Sequence, residues 1–380
     1  MSPTIAQRGP AIRLRTLSIA AIGTVVVATG AAVLPDLLSD DNVLPSEVGA
    51  DVPMRFAVTY RVKAGATVTT DVLRVQRPFG SHLTTYEGDS TDGRVLSQRA
   101  SGLGVLATSS GRAWGRLVVP PAMATADLRP DATLAAAVDS GLVADLGAAS
   151  IGGRPCRRYA TATSVAAGTL EAPHSGERAE VCIDAVGILL EERWELEGEE
   201  VRSKRAVALF LDYKHDDDDL SVPPGETLTG SGDLRQVADD TPVPFATSAT
   251  VGEVPEGFDH LGRYAVVPPD LSVREPNTTN PAGPGVATIT DVWTRGADVL
   301  IVDQGASTGR DPFPPTDVGA PVDLMAPGLQ SAILVLDLRS SEVRVRLADG
   351  GFVRVAATLP PDELMAVARS LTFAKGASNG

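Results

Sequence analysis

The chain has 380 residues, room for two globular domains and an extension, and a formal net charge of -15. So acidic a surface repels nucleic-acid phosphates and anionic headgroups, which sets nucleic-acid binding aside. Aromatic residues are only 4% of the chain, so its cores must be aliphatic, and its many Val and Thr residues lean toward sheet.

Arg8, Arg13 and Arg15 precede Leu17 with no acid among them, and residues 17–34, LSIAAIGTVVVATGAAVL, carry no charge. As a helix this run spans roughly 27 Å, enough for a bilayer core. Pro35, Asp36, Asp40 and Asp41 follow it. The basic flank predicts a cytoplasmic tail over 1–16, a single-pass cell-membrane anchor over 17–35 and an extracytoplasmic bulk. The alternative is a cleaved signal sequence, with Ala28, Gly30 and Ala32 as its small-residue site and a secreted product. The apolar run is longer than a usual signal core, which favours the anchor.

Residues 35–52 are rich in Asp, Pro and Gly and read as a tether. From Met54 to Val118 the chain is a run of strand patterns. RFAVTYRVK (55–63) alternates Phe56, Val58, Tyr60 and Val62 with Arg55, Ala57, Thr59 and Arg61, and TVTTDVLRVQRP follows a Gly-containing turn. SHLTTYEG, RVLSQRAS, GVLATSS and RAWGRLVV continue an antiparallel meander. In DATLAAAVDSGLVADL (131–146), Leu134, Val138, Leu142 and Leu146 recur every four residues, which predicts one helix. CRRYATAT, AEVCIDA, GILLEERWELEG and VRSKRAVALFLDY resume the strands. In the last, Val207, Leu209 and Leu211 fall on one face and Ala206, Ala208 and Phe210 on the other, so both faces need cover.

A linker is expected over 226–248, between a first domain at 50–225 and a smaller α+β domain at 249–376. The second block reads as strands GVATITDVW, ADVLIVDQG, SAILVLDL, EVRVRLADGG and FVRVAATL. It closes with a helix, PPDELMAVARSL, opened by Pro360 and Pro361 with Asp362 and Glu363 in its positive first turn. Residues 306–325 read as a long Pro-rich loop.

Outside the cytoplasm thiols oxidise, and Cys156 and Cys182 are the only two cysteines. A catalytic cysteine would want a histidine partner, and neither neighbourhood offers one beyond His174. The pair is read as a structural crosslink, Cys156–Cys182.

GGRPCRRY (152–159) with VCIDAVGILLEER (181–193), FLDYKHDDDDLSVPPGETL (210–228) and RLADGGFVRVAATLPPDELMAVARSL (346–371) together resemble the LolA/RseB-like group of extracytoplasmic proteins. The resemblance spans about residues 50–375. It implies a half-open, bent antiparallel half-barrel sheet with helices in its concave side, in a protein that binds acyl chains or lipoproteins or regulates anti-sigma factors. The full expectation is therefore α+β: an N-terminal membrane helix, the half-barrel, then the smaller antiparallel α+β domain.

A bent sheet that stays open must fill its hollow with its own helix or with a guest. Phe56, Val58, Tyr60, Leu134, Val138, Leu142, Val207, Leu209 and Leu211 are the candidate apolar-groove lining, and an acyl chain there would gain about 0.8 kcal/mol per CH₂ buried. HDDDD (215–219) reads as a solvated strand exit, because adjacent Asp side chains cannot converge on one cation. His82, His174 and His260 lack ligand-spaced partners, and GASTG (305–309) lacks the Lys of a phosphate loop. Glu191, Glu192, Glu195, Glu197, Glu199 and Glu200 sit among Arg193, Arg202 and Lys204 and read as cross-strand ion pairs on a wet face. No serine occupies a nucleophile elbow. The sequence thus predicts no metal, no cofactor and no catalysis. It predicts an extracytoplasmic module binding a lipid or lipoprotein acyl chain, or a membrane protein such as an anti-sigma factor. A structural envelope or interaction protein without a ligand is the alternative.

Overall fold

The structure is a computed structural model and describes residues 43–47, 51–89, 93–101, 105–110, 113–118, 130–161, 177–214, 228–229, 233–241, 245–267, 288–306, 313, 319–336 and 340–375. Residues 17–34, HDDDD and His174 lie outside them. No helix among the described residues is long and apolar enough to cross a membrane.

The first sheet starts as a meander: β1 (Arg55–Ala64), β2 (Thr67–Gln76), β3 (Gly80–Glu87), β4 (Arg94–Ser101), β5 (Val105–Ser110) and β6 (Ala113–Val118). A π-turn at Pro130–Leu134 leads into the five-residue helix α1 (Ala135–Asp139). A second meander follows, β7 (Val143–Ile151), β8 (Arg154–Thr161), β9 (Glu177–Ile183), β10 (Leu189–Leu196) and β11 (Glu199–Leu211). β1 and β11 pair antiparallel, Phe56 opposite Leu211 and Val58 opposite Leu209, and fuse both meanders into one 12-stranded sheet. β12 (Leu228–Thr229) adds a parallel edge beside β6.

The chain then enters a second, eight-stranded sheet with β13 (Asp233–Val237). β14 (Thr247–Thr250) pairs apart, and β15 (Asp259–Val267), β16 (Thr288–Arg295), β17 (Asp298–Ala306), β18 (Ala320–Pro321), β19 (Leu329–Leu336), β20 (Ser341–Leu347) and β21 (Gly351–Ala357) run in the order β13-β15-β16-β17-β21-β20-β19-β18. Helix α2 (Pro361–Ser370) carries Pro at its start and Asp362 and Glu363 in its first turn. It buries Leu364, Met365, Val367 and Ala368 against Val343, Val345, Val353 and Val355, and β22 (Thr372–Lys375) returns to β14. Phe79, just after β2, packs on Val292, Val299, Ile301 and Ala356, so an apolar contact joins the two sheets.

This architecture corrects the expected α+β class. Strands dominate the described residues, no helix fills the concave side of a half-barrel there, and the only α-helices among them are α1 and α2. The helix expected over 131–146 stops early. Gly141 adopts φ 74, a left-handed conformation, and donates its N–H to the Val138 carbonyl, closing the turn. From Val143 onward the chain pairs with β8. A spacing of four is even, so it satisfies the strand period as readily as the helical one. Leu146, placed by that spacing in the apolar stripe, is 44% exposed.

Cys156 and Cys182 form the expected disulfide, buried between β8 and β9. Replacing both with Ser should lower unfolding free energy by about 3 kcal/mol, because the enclosed loop is freed in the unfolded chain. Urea melts of oxidised wild type and the double variant check this.

Candidate binding site

The residues expected to line a groove do not share one wall. Phe56, Val58, Tyr60 and Leu209 pack in one buried cluster with Leu44, Val62, Val75, Ile151, Ile188 and Leu190, and Leu211 packs against it. Leu134 and Val138 belong to a second cluster, with Tyr159, Val181 and Trp194. Leu142 is half-buried beyond α1, its N–H bonded to the Ala137 carbonyl. Val207 leaves the set for a definite reason. A β-bulge sets Thr59 opposite Ala208 and Tyr60 opposite Ala206, so one extra residue shifts the alternation and moves Val207 to the opposite face from Leu209.

Buried polar braces close the apolar clusters. Arg154 and Asp184 are both 0% exposed and pair at 2.6 Å. The Arg154 Nη1 donates to the Pro45 and Glu47 carbonyls at 2.8 and 3.0 Å, pinning the segment whose Leu44 fills the core. Asp184 Oδ1 accepts the Val186 and Ile188 N–H groups, shaping the β9–β10 turn. Arg77 donates to the Val186 carbonyl at 2.8 Å and lies over the Phe56 ring, so the end of β2 reaches that same turn. On the core face Lys204 bonds Asp71 at 3.2 Å and sits over the Tyr60 ring. The Tyr60 hydroxyl donates to the Leu189 carbonyl, and burial, with Glu192 adding to it, raises its pKa above the ordinary tyrosine range.

The opposite face of the same strands carries a charged cleft. The register sets Arg61 opposite Arg205 and Lys63 opposite Ser203 across β1 and β11, and Glu191 opposite Arg205 and Arg193 opposite Ser203 across β10 and β11. With Glu200 and Val207 these residues line a cavity of about 220 Å³. Four bases face two acids there, in a chain whose net charge is -15. Glu191 is 4% exposed and is held by Arg158 at 2.6 Å and Arg193 at 3.2 Å; Asp89 holds Arg61 at 3.0 Å. The side chains of Lys63 and Arg205 make no hydrogen bond or ion pair among the described residues.

The acidic cluster is therefore only partly a wet face: Glu191 and Glu192 are buried, and Glu192 accepts from the Trp194 indole. His82 is a buried core residue, its Nε2 2.9 Å from Ser97 Oγ and 3.1 Å from Thr84 Oγ1. Ser97 is 1% exposed, so this serine–histidine contact is closed to a substrate. His260 stacks on Trp293 and lies 3.5 Å from Asp239 and 3.6 Å from Asp291. No group of His, Cys, Asp and Glu suited to a metal ion occurs among the described residues.

Sequence reasoning missed the cleft. Its signal was present in the alternation, which sets Arg61 and Lys63 on one face of β1 and Ser203 and Arg205 on one face of β11. What could not be read was that these two faces adjoin.

No family model matches the chain, and no curated protein matches it. Among solved structures, MucB is similar at 15% identity and TM-score 0.29, over 90% of this chain and 98% of that one. A chain of the Pseudomonas aeruginosa MucA/MucB complex is similar at 14% identity and TM-score 0.27, over 85% of this chain and 94% of that one. An uncharacterized conserved protein from Thermus thermophilus is similar at 8% identity and TM-score 0.32, over 53% of this chain and 98% of that one. Likenesses of this degree assign no role to any residue here.

Arg154→Ala should cost about 3–5 kcal/mol, since it strands a buried carboxylate. Arg154→Met combined with Asp184→Asn keeps an acceptor for the turn and should cost less. Chemical denaturation of both variants checks the order.

Proposed function

We infer that this protein is a non-catalytic extracytoplasmic module that binds the outer segment of a membrane protein. Envelope-stress signalling through an anti-sigma factor is the setting that the LolA/RseB-like sequence resemblance suggests. One observation carries the choice of a protein over a lipid partner: four of the residues expected to hold an acyl chain fill the core themselves. Phe56, Val58, Tyr60 and Leu209 are buried against Leu44 and Leu190, and Arg154 pins the segment that supplies Leu44. The cleft on the other face of these strands is lined almost wholly by charged and hydroxyl side chains. The Cys156–Cys182 bond supports an oxidising compartment, and residues 17–34 supply the apolar run that would direct the chain across the membrane. The reading parallels the crystallised pairing of MucB with MucA(peri), but its support lies in this chain's own residues.

The test is in-cell crosslinking of the full chain, followed by mass spectrometry of the crosslinked product and of a lipid extract from the same preparation. A membrane protein joined through its outer segment, with far less than one acyl chain per protein, is the expected result. Stoichiometric lipid without a protein crosslink would overturn the reading. So would a hydrolytic activity that Ser97→Ala abolishes.

A further inference from the structure

We propose that the cleft across β1, β10 and β11 binds carboxylates of an acidic polypeptide segment, a proposal that rests on the protein-partner reading above and names the chemistry of the partner. The first support is an electrostatic misfit that the fold tolerates. Arg61 and Arg205 face each other directly across β1 and β11, a like-charge pairing that destabilises a sheet. Glu191, the acid opposite Arg205 on the other side, is engaged by Arg158 and Arg193. Arg61 has Asp89, but the Arg205 guanidinium and the Lys63 ammonium have no partner among the described residues. An incoming carboxylate would relieve the repulsion and complete both donors.

Size and composition then select among anions. A cavity of about 220 Å³ falls below the usual range for drug-sized ligands. It is lined almost wholly by charged and hydroxyl side chains, with Val207 the sole apolar member, so it suits side-chain carboxylates and not an acyl chain. Phosphate sites often add free backbone N–H groups at helix starts or turns to such side chains. Here the strands are internal to the sheet, flanked on both sides by paired neighbours, and the donors are long side chains. The mixed lining points the same way. Glu191 and Glu200 among four bases fit a peptide, which brings N–H donors with its carboxylates, better than an isolated phosphate. An anionic membrane surface is opposed by the net charge of -15.

The test uses the full chain in uncharged nanodiscs and a fluorescein-labelled glutamate oligopeptide, followed by anisotropy at low and high salt. Wild type should bind, and more weakly as salt screens the contact. Lys63→Glu with Arg205→Glu should weaken binding about tenfold or more, while Arg55→Glu and Lys375→Glu, exposed bases elsewhere, should leave it unchanged. Arg205→Gln, which removes a like-charge contact and should fold, gives a smaller loss in the same direction. Equal binding by all these variants, or none by wild type, would overturn the proposal. Displacement by inorganic phosphate at concentrations where free glutamate fails would replace the peptide with a phosphate ligand. Crosslinking separates the two readings. A membrane protein captured equally by the charge-reversed double variant removes the cleft and keeps the module, whereas capture by neither chain removes both.

Discussion

The pairing of β1 with β11 is the constraint on which the rest of the first sheet depends. It joins two meanders that are otherwise local hairpin arrays and brings Val58 opposite Leu209 across a long stretch of chain. Closing that distance costs conformational entropy, and the pairing is held by what it buries on one face: Phe56, Val58, Tyr60, Val62 and Leu209 with Leu190 and Ile188. The same pairing makes the other face. A strand bearing Arg61 and Lys63 cannot meet one bearing Ser203 and Arg205 without building a basic strip, so core and cleft are two sides of one register.

The bulge at Val207 shows how finely the division is set. After it in the chain, Leu209 and Leu211 point to the core with Val58 and Phe56; before it, Ala206 and Lys204 do. Lys204 can stay on the core side because Asp71 and the Tyr60 ring receive it. A buried ammonium without such partners would be costly. Without the extra residue, Arg205 would turn inward, and the cleft would lose a cation that has no partner among the described residues.

Much of the local structure was legible in the sequence. Period-two alternation found β1 through β6 and β8 through β11 within a residue or two, and the Pro-Pro-Asp-Glu opening found α2. The disulfide was legible from compartment and count. The helix expected through Leu142 and Leu146 failed because a spacing of four serves both periods, and Gly141 decided between them. β15 went unread because DHLGRYAVV offers little alternation before Tyr264 and gains its place from β13 and β16. The groove list shows where residue type stops being informative: burial of Phe56 or Leu209 is written in their types, but whether they bound a hollow or fill it depends on Leu44 and Arg154, which arrive from elsewhere in the chain.

A core filled by its own side chains and the recognition proposed for the charged cleft are one statement about where this protein would hold a guest. Hydrogen exchange of the full chain in nanodiscs, with and without excess free myristate, tests it most directly. Amide exchange in β1, β11 and residues 43–47 should be slow and the same in both conditions. Slowing confined to those segments when myristate is added would mean that the core opens to take an acyl chain, and would contradict it.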